Sequence, residues 1–403
     1  MFVMAVISPM IITSERIYAT EGVEISAESA IVIDLDRGQV LYERYVDRQF
    51  PARMLSRLMT TLIATEKYPD VSTQITVSTN AAEAGGYEDI VLKAGSMYQV
   101  DDIISASMMT MTNNTCTALF ESVDTNSENF VGIMNARAQS MSLKNTLFTT
   151  PTGEFDDICY TTAKDISLFM QYTFGVQVYK DIFLSKIRFV DKSVKESGYL
   201  QNKNEVLWRY NYSSGGVFID MGDNKVSTIT FASRNDMNLL TIMINASSEK
   251  YVDDVSSLFE HCFFSYERNV LAKKGQKLSE IEVGNETLEL IASSDVYYLA
   301  RKGKSFISNA ELVLTEEIET PVVEGRHIGS IRYTLEDGTR ILVPLQAANS
   351  IYSDNALLND ILKKLTSNSD VVLLILALVG LEVILVVRYV RMRTRGNNKK
   401  TQF

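Results

Sequence analysis

The feature that most constrains this chain is the apolar run VVLLILALVGLEVILVV at residues 371–387, broken by a carboxylate only at Glu382. As a helix it would rise roughly 25 Å, slightly short of the ~30 Å hydrocarbon core of a bilayer but workable with local thinning or snorkelling flanks. Arg388, Arg391, Arg393, Arg395, Lys399 and Lys400 follow with no acid among them. Cations at that end hold a tail in the cytoplasm. The expectation is a single-pass protein of the cell membrane, with residues 371–387 as a transmembrane helix and 388–403 as a basic cytoplasmic tail. Everything before the run must then fold outside. Glu382 reads either as a shallow carboxylate that is protonated or reaches the interface, or as a contact for a polar partner helix. The tail can meet anionic lipid or serve only to stop transfer.

The other end, MFVMAVISPMIIT running on to ERIYATEG, reads as a signal segment over residues 1–19, cleaved after Ala19. The basic stretch that normally opens such a segment is absent, so translation is expected to begin upstream. An uncleaved anchor is the alternative, and the apolar run is short for spanning.

A chain of 403 residues buries a large core and accommodates two folded domains with appendages. The formal net charge is -11, and the six tail cations lie behind residue 387, so the remainder carries -17. An acidic body excludes nucleic acid, which demands clustered cations. Cys116, Cys159 and Cys262 lie far apart, and their odd count implies buried thiols rather than a disulfide framework. With only His261 and His327, a histidine-based metal site is not expected, nor is a cofactor.

Between the ends, AIVIDLDRGQVLYERY at 30–45 reads as two strands around an Asp-Arg-Gly turn. Leu55, Leu58, Met59, Leu62 and Ile63 recur at helical spacing and predict a helix over 52–66. A Met-rich apolar helix is expected over about 103–123, and another around 129–141. VSTITFAS and MNLLTIMINA predict a hairpin over 225–246 turning at Arg234-Asn235-Asp236. Helices first and paired strands later imply an α/β domain whose sheet is covered by helices. From about Glu267 short alternating strands with Lys-Gly and Glu-Gly turns imply a small all-β domain. The division is therefore 25–266, 267–349, a polar connector at 350–370, and the membrane run.

The stretch AIVIDLDRGQVLYERYVDRQFPA, then GGYEDIVLKAG, MNARAQSMSLKNTLFTTPTG and YTTAKDISLFMQY, and finally VVEGRHIGSIRYTLEDG, resemble in order and spacing the serine-type D-alanyl-D-alanine carboxypeptidases, the low-molecular-weight penicillin-binding proteins of peptidase family S11. The resemblance covers about residues 29–350. It implies a penicillin-binding/β-lactamase-like α/β domain, a β-rich C-terminal domain and a wall-peptide substrate. It also implies three site elements: S-x-x-K at a helix start, with nucleophile and base one turn apart on one face; S-x-N; and K-T-G on a strand.

The first element is missing. Aligned from Met59-Thr60, the serine position holds Met54 and the lysine position Arg57; aligned without a gap from Pro51, they hold Arg53 and Ser56. A thioether has no proton to lose, and an arginine cannot be deprotonated in a protein. Thr112-Asn113-Asn114 stands where S-x-N belongs, with Asn114 either retaining its role or only tying its helix to neighbours. Asp220-Met221-Gly222 stands where K-T-G belongs, an acid replacing a cation, while Gly222 can keep the backbone geometry. The sole S-x-x-K, Ser247 to Lys250, follows a strand and reads as chance. These paired losses predict an Arg57–Asp220 ion pair across the vestigial groove. Cys116 is a conceivable replacement nucleophile without an evident activating base. No catalytic residue is assigned. The expected function is a membrane-anchored, carboxypeptidase-like pseudoenzyme that binds a peptidoglycan stem peptide or an envelope protein. The alternatives are an active carboxypeptidase with a non-standard catalytic set and a membrane scaffold without a ligand.

Overall fold

The computed structural model describes residues 23–352 except 86–89, 155–157, 285, 304–306 and 337, together with 378, 381–389 and 391. The predicted signal segment, nearly all of the connector, and much of the membrane run and tail lie outside the described residues. Residues 378, 381–389 and 391 are helical, with Leu378, Leu381 and Val383 exposed. Among the described residues no helix is long and apolar enough to cross a membrane.

The chain divides into two compact units. The first runs up to Asn269 and includes Tyr297–Ser308 and Thr334–Ile341; the second takes Val270–Val296, Asn309–Tyr333 and the chain from Leu342. At the centre of the first is a five-stranded sheet made of β1 (Ser29–Asp34), β2 (Gln39–Arg44), β3 (Ser213–Gly222), β4 (Lys225–Arg234) and β5 (Met237–Ser247). The spatial order is β2-β1-β5-β4-β3, antiparallel throughout. The β4–β5 turn falls at the expected place. Asn235 and Asp236 both adopt positive φ, +52° and +58°, the conformation that a two-residue hairpin needs and that Asn and Asp tolerate.

Side chains alternate across β1, and both faces are covered. Ile31 and Ile33 join one core cluster, Ala30 and Val32 another. Among the described residues of this unit, the helices of seven residues or more are α1 (Arg53–Lys67), α2 (Val100–Thr110), α3 (Asn113–Val123), α4 (Ser127–Ser140), α5 (Ala163–Thr173), α6 (Gln177–Phe183) and α7 (Tyr251–Ser265). α7 contributes Val255, Leu258 and Phe259 to the cluster of Ala30 and Val32. α1, α2, α3 and α5 contribute Leu58, Ile104, Leu119 and Phe169 to the opposite one. α1 is enclosed on all sides: every residue from Met54 to Thr65 is buried, polar ones included.

The single helix expected over 103–123 is two. Met111 caps α2 in the left-handed region at φ +52°, Thr112 is extended, and α3 begins at Asn113. The apolar pattern continues through the break because both helices bury their sides, so periodicity cannot show it. The only local signal is Thr-Asn-Asn, residue types that favour caps and turns.

The second unit is built on a sheet of β6 (Lys277–Val283), β7 (Glu286–Ala292), β8 (Ile307–Leu314), β9 (His327–Leu335) and β10 (Arg340–Ala347) in the order β6-β7-β10-β9-β8, the ends of β8, β9 and β10 at Ile307–Ser308, Thr334–Leu335 and Arg340–Ile341 being grouped with the first unit. Leu288, Leu290, Ile328, Ile331, Leu345 and Ile351 make its core.

Candidate functional site

The first turns of α1, the α2–α3 break and the segment Thr150–Glu154 converge on one side chain, Arg57. It is 3% exposed. Its Nε donates to the Thr152 carbonyl at 3.2 Å, and Nη1 donates to the Met111 carbonyl. The left-handed turn at Met111 frees that carbonyl from the helical ladder, so the break supplies the acceptor. Nη2 lies 3.5 Å from Glu154 Oε1, and Glu154 Oε2 accepts from Asn113 Nδ2 at 2.6 Å. A guanidinium thus ties together a helix, a helix break and a loop.

The other predicted positions surround it unequally. Met54, one turn before Arg57, is buried in the apolar core. Ser56 is completely buried with its Oγ 3.5 Å from Cys159 Sγ. Gly153 covers it: a Cβ built there would stand 2.6 Å from Arg53 Cα and 2.9 Å from Ser56 Oγ. Thr112 Oγ1 shares a hydrogen bond with Thr115 Oγ1 at 2.8 Å. Asn114 donates through Nδ2 to the Ile90 carbonyl and accepts through Oδ1 from the Thr115 N–H, both at 2.8 Å. The bond to Ile90 ties α3 to its surroundings, and the other two stay within its first turn.

Cys116 is fully buried, with Sγ 3.6 Å from the Pro151 carbonyl. Burial pushes its thiol up to about 12, against the opposing pull of nearby Arg57. At neutral pH it carries no thiolate, the form a nucleophile requires. Ser247 and Lys250 sit in the turn from β5 into α7, far in sequence from α1 and joined by a backbone bond, Lys250 N–H to Ser247 carbonyl.

The predicted ion pair between Arg57 and Asp220 does not form. Arg57 is buried against Glu154, whereas Asp220 is exposed near the end of β3, where its Oδ1 accepts from the Gly222 N–H at 2.8 Å. Gly222 itself takes φ +84° and enters the β3–β4 turn. The side chain that reaches Asp220 is Arg53, whose Nη1 donates to the Asp220 carbonyl at 3.4 Å. Sequence reasoning missed Glu154. Its only signal is an acid placed directly after Thr-Pro-Thr-Gly, in a segment without periodicity.

A helix-covered antiparallel sheet, a separate β-rich unit, and a site built where a helix start, a helix break and an edge strand approach are the architecture of a penicillin-binding protein. The chain belongs to the D-alanyl-D-alanine carboxypeptidase family, whose profile matches residues 15–248; the profile of the penicillin-binding protein 5 C-terminal domain matches 266–353. The D-alanyl-D-alanine carboxypeptidase DacF of Bacillus subtilis is 24% identical over 314 residues, 76% of this chain and 80% of that protein. DacA of Haemophilus influenzae is 25% identical over 349 residues, 81% and 86% of the two chains. Among solved structures, penicillin binding protein 5 from Haemophilus influenzae superposes with a TM-score of 0.67 at 22% identity, covering 82% of this chain and 99% of its own. A peptidoglycan synthesis regulatory factor from Streptococcus pneumoniae superposes at 0.70 with 16% identity, covering 81% and 100%.

Proposed function

We propose that this protein is a membrane-anchored member of the family that binds the D-alanyl-D-alanine end of a peptidoglycan peptide without hydrolysing it. The observation that carries the reading is Arg57. It faces the Thr112 segment while Ser56 turns away toward Cys159, which favours the register in which Met54 replaces the serine and Arg57 the lysine. In that register the nucleophile is a thioether and the base a permanent cation. Loss of such a nucleophile costs on the order of a millionfold in turnover in a well-studied serine protease. The buried Ser56 hydroxyl and the buried Cys116 thiol support no substitute. The same reading keeps 25–266 as the peptide-binding domain, 267–349 as the β-rich domain, and 371–387 as the anchor.

A fluorescent penicillin tests it. No covalent labelling and no D-alanine released from a pentapeptide are expected, alongside reversible peptide binding. Labelling abolished by Ser56→Ala or Cys116→Ala would instead establish an active enzyme with a non-standard catalytic set. A stable membrane complex with no affinity for peptide would leave only a scaffold.

A further inference from the structure

The first unit holds a cavity of about 450 Å³ that takes no part in the network around Arg57. Its volume falls within the ~300–1,000 Å³ of small-ligand sites. Trp208, Tyr199, Gln201, Glu205, Leu200 and Ile90 are among the residues lining it, and none of the groups that hold Arg57 is. Trp208 stands on the single helical turn Val206–Arg209, and its indole N–H donates to the Asn202 carbonyl at 3.1 Å. That bond pins the ring, yet Trp208 stays 43% exposed, as does Tyr199. Tyr199 and Gln201 flank the buried Leu200 along the short strand Tyr199–Gln201, so both turn away from the core that takes Leu200. The Tyr199 hydroxyl and the Gln201 amide make no hydrogen bond to any described residue.

These walls define the ligand. Lys195 and Lys203, also on the wall, are already engaged, and Glu205 pairs with Arg209 at 3.4 Å, so a neutral molecule is the match. Trp and Tyr each offer an apolar ring with a polar tip. A pyranose is the complement of such a surface, with an apolar C–H face and hydroxyls around its rim. An acetamido group on that ring adds a methyl for the apolar patch of Ile90 and Leu200. It also adds an amide that both donates and accepts, as the Gln201 side chain does.

We propose that this cavity binds a neutral saccharide built of N-acetylated amino sugars, stacked on Trp208 and hydrogen-bonded to Tyr199 and Gln201. The site is separate from the Arg57 network, and the inference does not rest on the peptide-binding reading above.

Trp208 is the sole tryptophan of the chain, so tryptophan fluorescence reports on this cavity alone. The full-length protein, in a detergent without a sugar headgroup, is titrated with tri-N-acetylchitotriose and with maltotriose, no peptide being present. The acetylated trimer is expected to give a saturable change in emission, and maltotriose at the same concentrations none. Calorimetry then follows the variants. Trp208→Ala is expected to weaken binding about tenfold through loss of the stacking ring. Gln201→Ala is expected to weaken it about three- to tenfold, as for one neutral hydrogen bond. Gln201 is exposed, so its truncation keeps the test open even where loss of Trp208 harms folding. No saturable change, an equal response to the two trimers, or affinity unchanged in either variant overturns the assignment. Saccharide binding without peptide binding would remove the peptide reading alone, and the reverse would remove this one alone.

Discussion

At the scale of single residues, a buried charge decides what this site can be. Arg57 is held by the Met111 and Thr152 carbonyls and by Glu154, so removing it strands their acceptors in a shielded place. Arg57→Met is expected to cost roughly 3–5 kcal/mol, the range found when one partner of a buried pair is removed, read by urea unfolding of the full chain. Loss under about 1 kcal/mol would mean that the network is incidental. Asp34 offers a second test. It is buried at the end of β1, and desolvation pushes it up to about 6 despite its bond to Arg37. Its folded value lies above the unfolded one, so the native state holds the extra proton between them and loses stability as pH rises through that window. Asp34→Asn, always neutral, should remove this loss: its stability relative to wild type should climb by up to about 3 kcal/mol between pH ~4 and ~7.5. A pH-independent difference would refute the shift. The sequence showed that the lysine and serine of the family pattern were gone. It did not show Arg57's partner, because pairing Arg57 with Asp220 assumed that two changed charges must meet, while burial of α1 turned Arg57 toward Glu154.

At the scale of elements, local rules made the hairpins and α1 legible, and packing decided the rest. β4 and β5 alternate with period two and close through Asn235-Asp236, a signal contained within the segment. The α2–α3 break is not contained in that way. Apolar residues run through it, and only the tertiary need for a carbonyl facing Arg57 shows why Met111 is left-handed. The Thr150–Glu154 segment was equally silent, since its shape depends on a contact with α1. Gly153 carries that contact, at φ +68° and with no room for a Cβ beside Arg53 Cα. Gly153→Ala meets both a backbone conformation that favours glycine and a clash with backbone that cannot swing aside. It is expected to destabilise the protein by about 2–4 kcal/mol. It should also lift the loop from α1, exposing Cys159 to a thiol reagent faster than in wild type. Unchanged melting and unchanged thiol protection would show that the segment is not clamped as described.

At the scale of the whole molecule, the distribution of charge and apolarity separates an acidic body from the apolar run and basic tail proposed above as the membrane anchor. The body carries a net -17 and gains nothing from an anionic leaflet; a run of six cations with no acid among them lies behind residue 387, where, with the run inserted, lipid headgroups would meet it. Attachment should then depend on the apolar run, not on the ectodomain surface. The β-rich unit sets how much chain it needs. Ile351 is buried in its core and exchanges backbone hydrogen bonds with Val322 in both directions at 2.8 Å. A chain ending at Tyr352 keeps that contact and should be soluble, with cooperative unfolding unchanged from the full-length protein. One ending at Leu345 loses Ala347 and Ile351 from the core, about 2–4 kcal/mol of apolar burial in a small sheet, and should unfold in its β unit first. The full-length chain should stay with membranes through alkaline carbonate extraction. If the Tyr352-terminated chain also sediments with membranes, the ectodomain binds lipid by itself, and the division of labour between acidic body and apolar end is wrong.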